Sequence, residues 1–259
     1  MSATYDFSDK VVLITGAVGG IGKATAIAFA KAHAKVIVLC DLPKSESAAS
    51  ELIAIINEFG SEAAFFGFDV SNDEQVRAAV KAIVAKFGRL DVAFNNAGVL
   101  SASKPLIETS EEEYEHTLAV DLKGVFLGLK YEIQQMLSQS PSGGVVVNSA
   151  SIAGILGGPM IGAYAAAKHG VIGLTKTAAL EYGGQGVRVN AIAPAAVGTE
   201  MIQHWLQDPV QREYILGGIP LKRAATVEEI AGSVLYLCAD VAGFVNGATL
   251  VLDGGQTVS

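Results

Sequence analysis

The sequence predicts an α/β protein built on one doubly wound, Rossmann-type parallel sheet of about seven strands, with helices on both faces. Three observations lead to this prediction. Short apolar runs alternate with amphipathic stretches along the whole 259-residue chain. The runs are apolar at consecutive positions, as expected of strands covered on both faces. No internal repeat, low-complexity tract or linker interrupts the alternation, so the simplest interpretation is a single domain over residues 1–259.

Seven segments are predicted as strands because each is a short apolar run bounded by polar residues or glycine. They are Val11–Thr15, Val36–Cys40, Ala63–Phe68, Leu90–Asn95, Val145–Ser149, Val187–Ile192 and Ala248–Leu252. The longer amphipathic stretches between them are predicted as helices, and acidic residues in the first turns of the third and fourth suit the helix dipole. These helices are Gly20–His33, Ser45–Phe59, Ser71–Phe87, Ser110–Leu137 and Ala163–Tyr182.

Residues 194–220 break the regular alternation. The segment holds an apolar group on a short predicted helix around Met201–Leu206 and then reaches Gly217 and Gly218. Long excursions of this kind in compact domains are commonly lids or binding loops, the alternative being an ordinary surface helix. We predict that the segment is such a lid or binding loop.

Composition limits the classes of function. Apolar residues make up 51% of the chain and charged residues 17%, which indicates a packed globule rather than disorder. The net charge of −8 disfavours nucleic acid or an anionic membrane as the main partner. The two cysteines, Cys40 and Cys238, lie in apolar segments and are predicted to be buried and reduced.

Residues 133–167 carry no charge, yet repeated glycines make the segment too interrupted for a membrane-spanning helix. Met1–Lys10 shows no signal-peptide pattern. We therefore expect a cytoplasmic protein that does not bind membranes.

Ser151, Tyr164 and Lys168 have the spacing Ser-x12-Tyr-x3-Lys, which suits proton transfer to and from a secondary alcohol. Residues four apart share one face of a helix, so Lys168 is expected beside Tyr164. A tyrosine hydroxyl ordinarily titrates near pH ~10, and a neighbouring ammonium favours its phenolate form. Ser151 follows a predicted strand and is placed to hydrogen-bond the reacting oxygen. By itself the Tyr-x3-Lys pair is weak, because exposed helices carry such pairs by chance.

A glycine-rich turn, Thr15–Gly22, lies between the first predicted strand and the first predicted helix. Glycines in this setting let a pyrophosphate approach the backbone at a helix N-terminus. Asp41 ends the second predicted strand, at the position where a carboxylate accepts hydrogen bonds from an adenosine ribose. Its charge would repel a 2′-phosphate, so the pattern favours NAD over NADP. Lys44, the nearby cation, is expected to face solvent.

Four motifs in order along the chain together resemble the short-chain dehydrogenase/reductase family. They are Thr15–Gly22, Asn95-Asn96-Ala97-Gly98, the Ser151/Tyr164/Lys168 set, and the stretch from Arg188 to Pro194. The resemblance runs from about Lys10 to Gly255 and implies a nicotinamide-dependent oxidoreductase with a Rossmann-type fold. It also implies that residues 194–220 are the substrate loop.

The resemblance implies a role for each matching position. Tyr164 would be the general base or acid, Ser151 would hold the substrate oxygen, and Lys168 would also bind the nicotinamide ribose. The other positions implied to bind the cofactor are Gly16, Gly20, Ile21 and Gly22 at the pyrophosphate, Asp41 at the ribose, Asp69 and Val70 at the adenine, Asn96, Ala97 and Gly98 along the floor, and Pro194, Val197 and Thr199 toward the nicotinamide.

Asp121 departs from the family pattern, which usually has Asn at this position. In the family this residue helps to order a water in a proton relay to the lysine. Asp keeps the acceptor capacity of Asn but lacks its amide donors, and it adds a negative charge near Lys168. We expect the relay to run through the backbone carbonyl, with catalysis weakened or its pH optimum shifted. Ala195, where the family commonly has Gly, changes no chemistry.

The substrate pocket is expected between the residues after Ser151, the Leu100–Lys104 loop and the Met201–Leu206 segment. The predicted pocket residues are apolar: Ile152, Leu156, Met201, Ile202 and Trp205. Basic residues that could bind a carboxylate or phosphate are scarce there, Lys104 being the main exception, so an apolar or cyclic alcohol is favoured. No His, Cys or acidic spacing indicates a metal site.

The leading functional hypothesis is an NAD-dependent dehydrogenase that interconverts a secondary alcohol and its ketone. One alternative is a ketone or 3-oxoacyl reductase working in the opposite direction. Another is a catalytically weak NAD-sensing scaffold, which only Asp121 suggests. The family resemblance also implies a homotetramer in which helices of the fourth and fifth predicted segments pack across interfaces.

Overall fold

The computed structural model describes residues 5–100 and 103–258, and its centre is a seven-stranded sheet. All strands pair in parallel, in the order β3-β2-β1-β4-β5-β6-β7. The strands are β1 Val11–Thr15, β2 Val36–Asp41, β3 Glu62–Gly67, β4 Val92–Asn95, β5 Gly144–Ser149, β6 Val187–Pro194 and β7 Thr249–Leu252. The predicted fold class and strand number are confirmed.

Nine α-helices are present in the described part of the chain. They are α1 Gly20–Lys31, α2 Glu46–Glu58, α3 Asp73–Phe87, α4 Glu111–Leu118, α5 Gly124–Ser138, α6 Gly162–Tyr182, α7 Glu200–Gln207, α8 Pro209–Gly217 and α9 Val227–Cys238. Within the described residues, no helix is both long and apolar enough to cross a membrane.

The helices cover the sheet on both faces, as the consecutive apolar positions of its strands require. One buried cluster joins the sheet to α3, α5 and α6, and a second joins it to α1, α2 and α9. Interior strands such as β1 are buried at every position, whereas β3 and β7 at the two edges are partly exposed. Both Cys40 and Cys238 are buried and free, as predicted.

The long helix expected over Ser110–Leu137 is divided by a π-helical turn at Ala119–Lys123, which separates α4 from α5. A π turn contains one extra residue relative to regular α-helix and is frequent at functional sites. A capping box formed by Ser110 and Glu113 begins α4. Asp121 is the buried residue of this turn.

Two other elements differ from the sequence-based expectation. Helix α9 was not predicted, although a capping box of Thr226 and Glu229 begins it. Residues 194–220 hold two helices, α7 and α8, rather than one. Asp208 separates them, because its side chain accepts hydrogen bonds from the Val210 and Gln211 amides and so caps α8.

Candidate active site

A cleft of about 1350 Å³ opens at the carboxyl edge of the sheet. It lies between β1 and β4, where the order of the strands along the sheet reverses, the position at which open α/β sheets bind their ligands. Almost every residue predicted for the cofactor lines this cleft: Gly16, Gly20, Ile21, Asp41, Asp69, Val70, Asn96, Ala97, Gly98, Tyr164, Lys168, Pro194, Val197 and Thr199. Gly22 is the exception.

The glycine-rich turn packs tightly against itself and leaves the N-terminus of α1 open. Gly16 and Gly20 have φ of 62° and 47°, the left-handed region that favours glycine. A Cβ on Gly22 would overlap the Gly16 carbonyl oxygen, so the turn can pack this closely against α1 only with glycine at position 22. A Cβ on Gly19 would meet no protein atom within 4 Å.

The first turn of α1 has neither a side-chain cap nor an acidic residue. Uncapped amides at a helix N-terminus bind anions, and the space in front of Gly19 admits one close to the backbone. The residues present therefore fit the pyrophosphate of a dinucleotide.

Asn96 connects the turn to the neighbouring strand. Its Nδ2 donates to the backbone oxygens of Thr15 (3.0 Å) and Gly16 (3.2 Å). In return the Thr15 hydroxyl accepts from the backbone amides of Asn96 (2.9 Å) and Ala97 (3.0 Å). These bonds fix the ends of β1 and β4 relative to each other, and so fix the floor of the cleft.

Asp41 and Lys44 stand together at one end of the cleft. The Asp41 carboxylate accepts hydrogen bonds from the Leu42 amide (2.8 Å), the Ser45 hydroxyl (3.1 Å) and the Val18 amide (3.3 Å). Lys44 is exposed to solvent, as expected, but it also lines the cleft. A carboxylate and a cation therefore both face the predicted adenosine position.

Ser151, Tyr164 and Lys168 all line the opposite end of the cleft. Ser151 follows β5, and its Oγ accepts from the Ala153 amide (3.2 Å) and donates to the Pro194 carbonyl (3.4 Å). Tyr164 lies in the first turn of α6, and Lys168 Nζ is 5.3 Å from the centroid of its ring. Lys168 is only 3% exposed, so the pair is not a chance arrangement on a solvated helix.

Asp121 forms a buried ion pair with Lys168. Lys168 Nζ lies 3.4 Å from Asp121 Oδ2 and donates a hydrogen bond to the Ser149 carbonyl at 2.9 Å. Asp121 Oδ1 accepts from the Val99 amide at 2.7 Å, while Oδ2 has no hydrogen-bond partner and the residue is fully buried. The carboxylate is thus held by one amide and one ammonium.

Burial and charge act together on this pair. Burial raises the pKa of Asp121, although the Lys168 ammonium and the Val99 amide oppose the rise. Burial alone would lower the pKa of Lys168, but the Asp121 carboxylate and the Tyr164 oxygen reverse that effect and leave it above its ordinary value. Lys168 therefore keeps its proton.

A second buried carboxyl lies behind the cleft, outside the predicted site. Glu132 of α5 is 1% exposed and accepts from Asn95 Nδ2 at 2.9 Å. The same Nδ2 donates to Asn148, whose own amide donates to Thr175 of α6 at 2.9 Å. With no cation among these partners, burial raises the pKa of Glu132 to about 7.

The wall around Ser151 contains all five predicted pocket residues, namely Ile152, Leu156, Met201, Ile202 and Trp205. Leu100 and Ser103 also line it, whereas residues 101 and 102 of the expected loop lie outside the described residues. The expectation for Lys104 was wrong. Its Nζ pairs with Glu113 at 2.6 Å, and the residue does not line the cleft.

Sequence reasoning missed several cleft residues that come from distant segments. They are His116, Glu200, Gln211, Tyr214, Ile215 and Gln256. No local motif marks them, because only the packing of α4, α7, α8 and the C-terminal segment brings them to the wall. In the described ranges no group of three or more His, Cys, Asp or Glu side chains is arranged to hold a metal ion.

Known proteins match this chain along nearly its whole length. A family model described as enoyl-(acyl carrier protein) reductase matches residues 16–257. A 2,5-dichloro-2,5-cyclohexadiene-1,4-diol dehydrogenase of Sphingobium indicum is 40% identical over 97% of this chain and 98% of its own length. Levodione reductase of Leifsonia aquatica is 39% identical over 100% of this chain and 98% of its own length. Cyclohexanol dehydrogenase of an Acinetobacter species is 38% identical over 97% and 96%.

Solved structures agree with these relatives. A crystal structure of levodione reductase superposes with a TM-score of 0.92 at 40% identity, covering 98% of this chain and 99% of the other. NAD⁺-bound xylitol dehydrogenase gives 0.90 at 35% identity, over 96% and 99%. ElxO with NADP bound gives 0.89 at 32% identity, over 96% and 99%.

The sequence motifs suggested membership of one family. The identity and coverage of these relatives, and the match to the family model, support the same conclusion. The full-length matches are named dehydrogenases and reductases, and their fold is the fold described above. The chain is an oxidoreductase that belongs to the short-chain dehydrogenase/reductase family.

Proposed function

We propose that the protein is an NAD-dependent oxidoreductase that interconverts an apolar or cyclic secondary alcohol and its ketone. The observation that carries this proposal is the buried Lys168 beside Tyr164, at the end of a cleft whose other end fits a dinucleotide. Proton transfer by a positioned side chain is what this reaction requires of the protein.

In the oxidation direction, the Tyr164 phenolate takes the proton of the substrate hydroxyl. Bound in the cleft, the nicotinamide supplies the acceptor for the hydride that leaves the carbinol carbon. Ser151 Oγ turns from the Pro194 carbonyl to hydrogen-bond the reacting oxygen. Lys168 stabilises the phenolate by its charge. In reduction the same tyrosine returns the proton to the alkoxide oxygen.

Substrate class is inferred from the wall of the cleft. Its apolar residues, including Leu156 and Trp205, suit a hydrocarbon ring, and Lys104 is occupied by Glu113 rather than free to bind an anion. Two of the relatives are named for a cyclohexadiene diol and for cyclohexanol, which supports the same class.

A panel of secondary alcohols tests the proposal. Cyclic and aromatic alcohols, linear alcohols, hydroxy acids and sugar phosphates would be assayed with NAD⁺ and NADP⁺ by absorbance of the reduced nicotinamide. We expect NAD⁺-linked oxidation of cyclic alcohols with the highest kcat/KM. Faster oxidation of hydroxy acids or sugar phosphates would contradict the proposed substrate class.

Cofactor choice rests on Asp41 and is tested by replacing it. In Asp41→Ser the ribose loses its carboxylate acceptor and a 2′-phosphate no longer meets a negative charge. We expect the ratio of kcat/KM for NADP⁺ to that for NAD⁺ to rise at least about tenfold, the effect of one charge at short range in a partly screened site.

Lys44 provides the control for that experiment, because it lines the same end of the cleft. Adding Lys44→Met to Asp41→Ser removes the cation that would bind the new phosphate and should reverse part of the gain. An unchanged cofactor ratio in Asp41→Ser would show that the carboxylate does not select the cofactor.

Assembly and location complete the proposal. We propose a homotetramer, because Phe126 of α5 and Leu180 of α6 are apolar side chains 46% and 87% exposed on the helices expected at the interfaces. We propose a cytoplasmic location, which two buried free thiols suit. Sedimentation at the 26.7 kDa mass of one chain would contradict the tetramer.

A further inference from the structure

Asp121 gives the catalytic end of the cleft an unusual charge balance. Its carboxylate is fully buried and lies 3.4 Å from Lys168 Nζ, and both residues line the cleft. Among the residues that the structure describes, Oδ2 has no hydrogen-bond partner, and the Lys168 ammonium is its ion-pair partner. While Tyr164 is a neutral phenol, Asn at this position would leave the ammonium with one uncompensated positive charge, whereas Asp makes the pair neutral.

The oxidised and reduced forms of a nicotinamide differ by one positive charge on the ring. Under the proposed function, Lys168 binds the adjoining ribose, so the charge of the Lys168–Asp121 pair lies close to the ring. An uncompensated ammonium repels the oxidised ring and leaves the reduced ring almost unaffected. A neutral pair removes that repulsion, and charges in a buried site are only weakly screened by salt.

We propose that Asp121 is a specificity-determining residue for the redox state of the cofactor: by neutralising Lys168, it favours binding of NAD⁺ relative to NADH. The two forms of the cofactor compete for one site, so the difference between their affinities decides which form the protein holds. Here one carboxylate makes that difference. The bias directs the enzyme toward alcohol oxidation, because it raises the share of protein that holds the oxidant. This inference rests on the proposed cofactor site.

The test measures dissociation constants rather than turnover. Binding of NAD⁺ and of NADH would be measured by calorimetry at one fixed pH for the Tyr164→Phe protein and for Asp121→Asn in the same background. The Tyr164→Phe background prevents a change in phenol charge between variants. The ratio Kd(NAD⁺)/Kd(NADH) cancels ribose and phosphate contacts that both forms share.

We expect Asp121→Asn to raise this ratio roughly tenfold, the effect of one charge about 10 Å away at an effective dielectric constant of about 20. Adding Lys168→Met makes the pair neutral again, so the ratio should return to within threefold of its starting value. Asp9→Asn, which breaks an exposed ion pair with Lys10, is the matched control and should leave the ratio unchanged.

The outcomes separate the two proposals. A change of less than threefold in Asp121→Asn, or a change in the opposite direction, overturns the charge-balance proposal while leaving NAD binding in place. A change that persists when Lys168→Met is added also overturns it, since shape rather than charge would then be responsible. If the wild-type protein binds neither NAD⁺ nor NADH, the proposed function fails and this inference fails with it.

Discussion

Replacing Tyr164 with Phe is expected to lower kcat for alcohol oxidation by roughly 10³-fold, the usual contribution of a positioned general base. The variant keeps the ring beside Lys168 and removes only the oxygen that exchanges the proton. Affinity for NAD should change by no more than about threefold, because the cofactor contacts elsewhere in the cleft remain. Steady-state kinetics and NADH fluorescence titration measure the two quantities.

Tyr214 is the matched control for this experiment. It also lines the cleft but lies on α8 and is 71% exposed, so Tyr214→Phe should retain kcat within about threefold. If Tyr164→Phe kept more than a tenth of the wild-type kcat, Tyr164 would not be the general base. NAD binding without turnover in both wild type and mutant would instead favour the redox-sensing scaffold.

Replacing Glu132 with Gln is expected to stabilise the protein above neutral pH and to have almost no effect near pH 4. Burial raises the pKa of Glu132 from 4.5 to about 7, so the folded protein binds more protons than the unfolded chain within that window. Stability contributed by the neutral carboxyl is complete below pH 4.5 and is lost as pH rises through about 7.

Gln keeps an oxygen that accepts from Asn95 but cannot ionise. The variant therefore does not lose stability in this way as the pH rises. Above pH 8 the gain in the free energy of unfolding should reach about 3 kcal/mol, since one pKa unit corresponds to about 1.4 kcal/mol. Urea unfolding of both proteins at fixed protein concentration between pH 4.5 and 8.5 measures it. The exposed Glu58→Gln should show no such trend, and a constant difference across pH would contradict the prediction.

The elements that sequence predicted well are those in which local pattern and tertiary environment agree. The first four residues of strand β1 are all apolar, and the whole strand is buried because helices cover both faces of the sheet. Helix α9, by contrast, was not predicted although its sequence contains a helix signal. Thr226 and Glu229 form a capping box before an apolar stripe, and that pattern is sufficient to predict a helix.

The π turn at Ala119–Lys123 had no such signal. Its residues have no local preference that distinguishes them from the regular helix on either side, so the extra residue is accommodated by packing against the rest of the protein. Asp121, which forms the ion pair with Lys168, is the buried residue of that turn. Sequence therefore placed a negative charge in the region of Lys168 without predicting the direct contact.

Sequence motifs mark the end of the cleft at the glycine-rich turn, but they leave several residues of the wall near Ser151 unmarked. Motifs such as Thr15–Gly22 carry backbone requirements that are visible in sequence, whereas the wall near Ser151 is assembled from segments far apart in the chain. Lys104 illustrates the difficulty. Its apparent availability to a substrate disappears once the fold brings Glu113 within 2.6 Å.

The π turn also packs closely against α6, the helix that carries Lys168. Leu122, next to Asp121 on the turn, packs against Gly170 of α6, where an added Cβ would lie only 2.6 Å from Leu122 Cδ1. Asp121 is next to Leu122 and Lys168 is two residues before Gly170, so the absence of a Cβ at Gly170 affects how closely the Asp121 carboxylate approaches the Lys168 ammonium. Selection at a glycine that never touches a ligand can thus tune the electrostatics of the site.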